Sequence, residues 1–231
     1  MITEILITFI WWHIIATFGL SIGYHRYFAH GSFKTTYVWE LVFLICGYMC
    51  GARSPITWAA VHRIHHNHSD TSHDPHSPKY IGIKSLFSLW TVDYIPKKYF
   101  KNLLKSHLRF THKYGKYVWL SFGLILLIIN IKLFLIIWVS PFIISYIGFG
   151  VLNYFGHSPS PVNRLWINLF APSEGWHKEH HNHPSKFKIN KYDIAGMIID
   201  NNLFCCFRIH LTYFTILHYK TTIFHAYETL I

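Results

Sequence analysis

The chain has 231 residues, of which 52% are hydrophobic, 19% aromatic and only 13% charged, where about 25% charged is usual in a soluble globular protein. Its net charge of +11 would suit a nucleic-acid partner, but the basic residues are spread unevenly. Residues 1–24 contain no Lys or Arg, residues 26–117 contain thirteen and residues 150–231 contain seven. The one remaining basic residue is Lys132. This is the positive-inside bias of membrane proteins, and it argues against nucleic acid as the partner.

The first predicted element is the apolar stretch ILITFIWWHIIATFGLSI, Ile5–Ile22, which has the roughly 17–25 residues that a membrane-spanning helix needs. A cleaved signal peptide would need a basic start and a small-residue cleavage site. Residues 1–24 contain no Lys or Arg, and aromatic and basic residues follow at once. We therefore predict a membrane span at about 5–22.

The next apolar stretch, YVWELVFLICGYMCG (Tyr37–Gly51), is too short to span a membrane comfortably, and it contains Glu40. Its two flanks are basic and carry histidines, so both are expected on one face of the membrane. Crossing twice needs about 40 residues, whereas 31 lie between His30 and His62. The pattern predicts an interfacial or re-entrant helix.

A long apolar block, Val118–Leu152, is broken only by Asn130 and Lys132. It is nearly twice the length of one span and predicts a tight hairpin of two, at about 114–130 and 133–155. The positive-inside rule then places the N-terminus and the hairpin tip outside, and the basic segments in the cytoplasm.

The predicted architecture is one all-α integral membrane domain over residues 1–231. It has about three transmembrane helices, an interfacial helix and a cytoplasmic helical cap formed by the histidine-bearing segments 25–117 and 156–231. The four cysteines form no CxxC motif and fall on the cytoplasmic side, so they are expected to be reduced. They are Cys46, Cys50, Cys205 and Cys206.

Nineteen histidines are far more than packing requires, and nine of them fall at ligand-like spacings in four places predicted to share one face of the membrane. The other ten are expected to be solvated, locally hydrogen-bonded or packed, with His68 and His183 placed to support the ligands. The four places are HRYFAH with His25 and His30, HRIHH with His62, His65 and His66, NYFGH with Asn153 and His157, and HKEHH with His177, His180 and His181.

The spacing within the two HxxHH triplets suits two metal ions. On a helix the second and third histidines lie about 300° and 40° around from the first, so their rings diverge by about 100°. One triplet can therefore serve two neighbouring ions. His25 and His30 lie about 140° apart on a regular helix and converge only where the helix ends or distorts. Nine imidazoles exceed the ligands of one zinc site, and the choice among zinc, copper, iron and nickel stays open.

The order HRYFAH, HRIHHNHSDTSHDPHSP, NYFGH and EGWHKEHHNHP resembles that of the membrane fatty-acid desaturases of the acyl-CoA and acyl-lipid Δ9 type. The resemblance runs from about Gly23 to Asp200. It implies a cytoplasmic cap, a buried acyl tunnel and the O₂-dependent formation of a cis double bond in a saturated acyl chain. It also implies a water-mediated ligand, Asn153, and two irons held by His25, His30, His62, His65, His66, His157, His177, His180 and His181.

The same resemblance implies a fatty-acyl substrate, a lipid bilayer, O₂ and a separate electron donor of the ferredoxin or cytochrome type. The active site is expected on the cytoplasmic face of a multi-pass membrane protein. The family usually has two spans before its first histidine motif, whereas one is predicted here. Ala60 and Val61 stand where animal acyl-CoA desaturases have Arg and Asp, so acyl-CoA, acyl lipid and acyl-carrier protein are all open as substrates.

Two other functions are compatible with a histidine-rich membrane protein. A di-iron lipid hydroxylase would use the same ligands and oxidant, but DPHSP and the Asn153–His157 pair favour the desaturase. A non-enzymatic metal-binding protein such as a transporter should hold its ligands in mid-bilayer, whereas these histidines lie at or beyond the predicted span ends. The desaturase is therefore the function that the sequence favours.

Overall fold

The computed structural model describes residues 2–87, 92, 94–201 and 204, and within these ranges the chain is helical and contains no β-strand. The predicted all-α class is confirmed for this part of the chain. The predicted segment 156–231 is described as far as Asn201 and at Phe204, so Cys205 and Cys206 lie outside the described residues. In chain order the helices are α1 (Ile2–Ala29), α2 (Tyr37–Met49), α3 (Pro55–His68), α4 (Pro78–Ile81), α5 (Ser106–Ile129), α6 (Ile131–Gly156), α7 (His177–Asn182) and α8 (Ile194–Asp200).

Two of these helices, α1 and α6, are long and apolar enough to cross a membrane, and they contain the predicted spans 5–22 and 133–155. Residues 114–129 of the predicted span 114–130 lie in α5, which is less apolar because its first half is basic. Apolar side chains on the second half of α5 face outward, with Ile128 76% exposed. The number of crossings and their orientation stay predictions.

α2 is the short apolar helix expected over Tyr37–Gly51, and the Glu40 side chain on it is buried. The Glu40 carboxylate accepts hydrogen bonds from Lys105 Nζ at 2.9 Å and from Tyr27 Oη at 3.1 Å. His107 Nε2 lies 2.9 Å from the same carboxylate. These contacts fix α2 against the end of α1 and the start of α5.

α3 begins with a strong helix-start signal. Ser54 precedes it in an extended conformation, and its Oγ accepts a hydrogen bond from the Ile56 amide at 3.2 Å. Pro55 occupies the first helical position, where its missing N–H costs nothing. This fixed start sets the rotation of α3, and therefore the directions in which its three ligand-spaced histidines point.

The largest apolar core lies where the second half of α1 packs against α2, α3 and α8. Tyr24, Phe28 and Phe43 form its centre, and each is at most 2% exposed. α1 and α2 approach so closely that a Cβ on Gly19 would clash with the backbone of Gly47. This core holds the first histidine motif in place beside α3.

Candidate metal centre

The nine ligand-spaced histidines come together in two adjacent groups. Within each group the nearest ring nitrogens all lie within 4.8 Å of one another. The groups meet where the ring of His66 stacks on that of His181, with centroids 4.3 Å apart. Group A consists of His25, His30, His62, His66 and His180, and group B consists of His65, His157, His177 and His181.

The first motif reaches group A because α1 changes its winding. From Thr17 to Ala29 the helix is a π-helix, and the His30 amide donates to the His25 carbonyl at 3.1 Å, an i to i+5 hydrogen bond. A π-helix has more residues per turn than an α-helix, so positions five apart lie on one face. The predicted distortion between His25 and His30 is therefore confirmed, and its form is a π-helix that ends beside the site.

Each HxxHH triplet divides between the two groups, as the angles on a helix require. On α3, His62 and His66 belong to group A and His65 to group B. On α7, His177 and His181 belong to group B and His180 to group A. Each triplet thus places its first and third histidines, which are four residues apart, in one group and its second histidine in the other.

The spacing of the ring nitrogens fits metal ligation. Ligands about 2.1 Å from a common ion lie about 3 Å apart when adjacent and about 4 Å apart when opposite. The measured Nε2–Nε2 distances fall at the first of these values. In group A they are 2.9 Å for His25–His180, 2.9 Å for His30–His62, 3.1 Å for His62–His66 and 2.9 Å for His66–His180. In group B they are 2.7 Å for His157–His177, 3.2 Å for His177–His181 and 3.3 Å for His65–His181.

In three of these histidines, a carboxylate accepts a hydrogen bond from Nδ1, the ring nitrogen that does not face the group. His25 Nδ1 lies 2.8 Å from Glu174, and His65 Nδ1 lies 2.9 Å from Asp74. His157 Nδ1 lies 3.2 Å from a carboxylate oxygen of Asp70. Such contacts put the proton on Nδ1 and leave the Nε2 lone pair free to bind a metal.

The acceptors are themselves held in place. Glu174 accepts a hydrogen bond from Ser21 Oγ at 2.6 Å and from Arg26 Nη1 at 3.2 Å. The other end of the same guanidinium contacts Asp193, 3.1 Å away. Burial raises the pKa of Glu174, but His25 and Arg26 lower it by more than burial raises it. The carboxyl is therefore ionised at neutral pH.

The pKa is lowered for seven of the nine imidazoles, which favours the neutral form that binds metals. Burial is the main cause, and the neighbouring imidazoles add to it, because a second positive charge is unfavourable at such short range. Together they lower the pKa of His66 to about 3. They hold the pKa well below its ordinary value for His62, His65, His177 and His180. These side chains therefore suit metal binding at neutral pH.

An inner cavity of about 50 Å³ borders both groups. Its lining includes His62 of group A and His177 of group B, and the apolar side chains of Trp58 and Phe149. Asn153, the predicted water-mediated ligand, is buried on α6 and lines the same cavity. An apolar chain segment in this space would lie beside both histidine groups.

Four supporting side chains were not singled out from the sequence. Asp74 and His76 lie within DPHSP, and Glu174 begins EGWH, so the motifs that carry the resemblance contained them. His76 was expected to be solvated or locally bonded. Its side chain is instead buried, and its ring centroid lies 4.2 Å from that of His65. Asp70 also contacts group B, through His157.

His68 and His183, which follow the two triplets, belong to neither group. The His68 ring lies 5.8 Å from that of the exposed His73. The His183 amide donates to the Glu179 carbonyl at the end of α7. A supporting role for these two side chains therefore stays a prediction.

The sequence is similar to those of several curated proteins. It is 29% identical over 187 residues to the sn-1 stearoyl-lipid 9-desaturase of Anabaena variabilis, a match that covers 71% of this chain and 65% of that protein. It is 28% identical over 195 residues to Delta-9 acyl-lipid desaturase 1 of Arabidopsis thaliana, covering 73% and 61%. Over 87 residues it is 41% identical to the hex-5-enoyl-(acyl-carrier protein) acetylenase of Moorena producens (strain JHB), covering 31% and 27%. No family model matches the chain.

The chain spans less than two thirds of the length of each of these relatives. The matches to the first two nevertheless cover most of this chain, and several further desaturases match it at 25–29% identity over similar lengths.

Proposed function

Since the chain belongs to the fatty-acid desaturase family, we propose that it is an O₂-dependent membrane enzyme that introduces a cis double bond into a saturated fatty-acyl chain. The observation that carries this proposal is the pair of adjacent histidine groups, each with the nitrogen spacing of a metal site. The proposed cofactor is two iron ions per chain, one in each group.

Bound iron supplies the oxidising power, drawn from O₂, that removes hydrogen from two adjacent unactivated carbons. The chain's own part is to hold the ions with nitrogen ligands. Imidazoles suit this chemistry because, unlike cysteine thiolates, they do not climb the sulfur oxidation ladder. Group A, the larger group, offers five nitrogens and group B four. Asn153 is the proposed tenth contributor, through a water.

The carboxylates position the ligands. Glu174, Asp74 and Asp70 each accept from an Nδ1 and so keep the corresponding Nε2 directed into its group. The loss of such an outer partner typically costs about 10–100-fold in metal affinity or activity. These three residues are therefore positioning residues of the proposed centre.

The inner cavity is the proposed place for the reacting part of the acyl chain. Trp58 stacks on His62, with ring centroids 5.1 Å apart, and Phe149 lies 6.0 Å from Trp58. These rings give the space beside the histidines an apolar wall. A volume of about 50 Å³ holds only a short stretch of methylenes, so the Trp58 ring must shift when a long chain enters.

The proposed enzyme is a multi-pass membrane protein with its active site on the cytoplasmic face. The apolar helices α1 and α6 and the basic segment between them support this placement. Electrons come from a separate ferredoxin- or cytochrome-type donor. Acyl-CoA, acyl lipid and acyl-carrier protein are the three proposed classes of acyl carrier.

Expression in a host that lacks its own desaturase tests the proposal. Cellular lipids are hydrolysed and the fatty acids analysed by mass spectrometry, with double bonds located by derivatisation. The expected result is new cis-monounsaturated acids that are absent with His66→Ala. Hydroxy acids without double bonds would identify a lipid hydroxylase instead, and unchanged lipids despite inserted, iron-loaded protein would contradict the proposal.

A further inference from the structure

A second, larger cavity of about 660 Å³ lies outside the histidine centre, between the α2–α3 turn, α5 and α6. Its walls combine apolar rings, among them Trp119 and Phe142, with the basic side chains of Arg53 and Lys116. No carboxylate is among its lining residues. The cavity therefore offers positive charge next to apolar surface, which is the combination that a phosphate joined to a hydrocarbon chain needs.

The backbone at Arg53 is fixed by contacts of its own. Arg53 has a positive φ of 59° at the end of the α2–α3 turn, and its carbonyl accepts a hydrogen bond from the buried Tyr24 at 2.6 Å. Its side chain is exposed, and in the described part of the chain no carboxylate lies within ion-pair distance of it. Arg53 thus has a held backbone and an exposed guanidinium that has no acidic partner in that part of the chain.

Lys116 belongs to a strongly basic segment. Residues 97–116 contain seven Lys and Arg, and no Asp or Glu occurs anywhere between residues 94 and 173. The Lys116 side chain is exposed at the start of the predicted span 114–130. Basic side chains at that depth meet the phosphates of anionic lipids.

The outer cavity and the inner cavity beside the histidines share a wall residue. Trp58 lines both spaces. A chain held by its phosphate at Arg53 and Lys116 would pass Trp58 to reach the histidine groups.

An apolar groove of about 520 Å³ lies between α2 and α5 beside the outer cavity. Tyr48 and Trp119 line both spaces. Ile45 and Phe110 on the groove are 61% and 58% exposed. The basic cavity therefore borders two apolar spaces, one beside the histidines and one between α2 and α5.

We propose that the outer cavity binds the phosphate of a two-chain membrane phospholipid, with one acyl chain directed past Trp58 and the second in the groove between α2 and α5. Acyl-CoA and acyl-carrier protein also join a phosphate to an acyl chain, but each has a single acyl chain and would leave the groove unused. This inference rests on the proposed function, because it names the acyl carrier of the same site.

Native mass spectrometry of the full chain in detergent, without turnover, tests the inference. The probes are phosphatidylglycerol with two chains, lysophosphatidylglycerol with one, diacylglycerol without a phosphate, and stearoyl-CoA. We expect phosphatidylglycerol to be retained most strongly. The double variant Arg53→Gln/Lys116→Gln should lower its retention by about tenfold, equivalent to about 1.4 kcal/mol for the two solvent-exposed charges together.

Two further variants complete the test. Lys113→Gln removes the same charge from an exposed position on α5 that does not line the cavity, and it should bind like the wild type. Ile45→Trp fills the groove and should weaken binding of phosphatidylglycerol but not of lysophosphatidylglycerol. Phe110→Ser, on the exposed rim, gives the same comparison if the larger side chain impairs folding.

Three results would overturn the inference: equal retention by the double variant and the wild type, equal effects of the groove variants on one-chain and two-chain lipids, or tighter retention of stearoyl-CoA than of phosphatidylglycerol. Because binding is scored without catalysis, a host that makes no double bonds would contradict the proposed function and leave the lipid result standing. New double bonds together with unaltered lipid binding by the variants would contradict this inference alone.

Discussion

Each histidine of the centre directs one ring nitrogen towards the other members of its group. In three of them the second ring nitrogen contacts a carboxylate. His66 links the two triplets within group A, since its Nε2 lies 3.1 Å from that of His62 and 2.9 Å from that of His180. Its ring also stacks on His181 of group B. His66 therefore contacts both groups.

Replacing His66 with Ala is expected to abolish turnover and lower the metal content while the protein still inserts. The remaining imidazoles are fixed by their helices and cannot replace it, so the loss should be at least about 100-fold. His73→Ala is the control, because that exposed imidazole belongs to neither group. Products and bound metal are measured on equal amounts of inserted protein, and similar values for the two variants would contradict the assignment.

Glu174→Gln tests positioning through a side chain that lies in neither group. The amide accepts more weakly from His25 Nδ1, so we expect metal affinity to fall by about 10–100-fold. Affinity is measured by competition with a chelator. Asp200→Asn, at an exposed ion pair with Lys188, is the matched control. An unchanged metal affinity in Glu174→Gln would show that the carboxylate does not position the ligand.

The members of the two histidine groups could be predicted from the sequence, because each proposed ligand shares a short motif with another. Their acceptors could not be assigned in the same way. Asp74 lies nine residues beyond His65, and Glu174 is 149 residues from His25, so no helical period relates each pair. Only the fold, which brings α1, α3 and the segment before α7 together, makes these contacts.

Among the helices, α1 shows how local winding determines the site. A regular α-helix would separate His25 and His30 by about 140°, and the π-helical segment Thr17–Ala29 brings them to one side. The sequence predicted a distortion from the requirement that the two rings converge. It did not specify a π-helix, because the spacing of the two histidines requires convergence but does not show how α1 winds where it packs on α2 and α3.

α2 provides a pH-dependent test of stability. Burial raises the pKa of Glu40, but hydrogen bonds from Lys105 and His107 more than offset this and leave it below its ordinary value. Its ionised form therefore stabilises the fold above the unfolded-state pKa of about 4.3. Glu40→Gln should be less stable by about 1–2 kcal/mol at pH 7, because Lys105 is half exposed and the pair is partly screened.

The same reasoning fixes the sign of the pH effect. As pH falls from about 4.3 through the lower pKa of the folded state, the wild type loses this contribution and the difference from Glu40→Gln should vanish. Thermal unfolding in detergent between pH 3 and 7 measures it. Lys188→Gln, at the surface pair with Asp200, serves as the comparison. A difference that grows on acidification would contradict the assignment.

For the whole molecule, membrane topology is the part that sequence and structure constrain least. Two helices qualify as spans by length and composition, whereas the third predicted span is in a helix that begins with basic residues. Hydropathy does not distinguish a helix that starts outside the bilayer from one that lies on its surface. The predicted number of membrane crossings therefore rests on the distribution of Lys and Arg, and the positive-inside rule that relates the two is statistical.

Cysteine accessibility checks the topology. In a chain whose native cysteines are replaced by Ser, Asn130→Cys at the α5–α6 turn should react with a membrane-impermeant reagent added outside intact cells. Ser72→Cys, in the exposed loop after α3, should react only after permeabilisation. Reaction of both positions from the same side would show that the α5–α6 hairpin does not span the membrane.

The number of metal ions per chain shows whether the nine histidines form two neighbouring iron sites. Protein expressed in iron-rich medium is purified, and its iron and zinc are measured by mass spectrometry against an amino-acid-analysis protein concentration. Five nitrogens in group A and four in group B predict about two irons per chain, falling to one or fewer in His66→Ala. One iron per chain in the wild type, or zinc that persists in place of iron, would contradict the account.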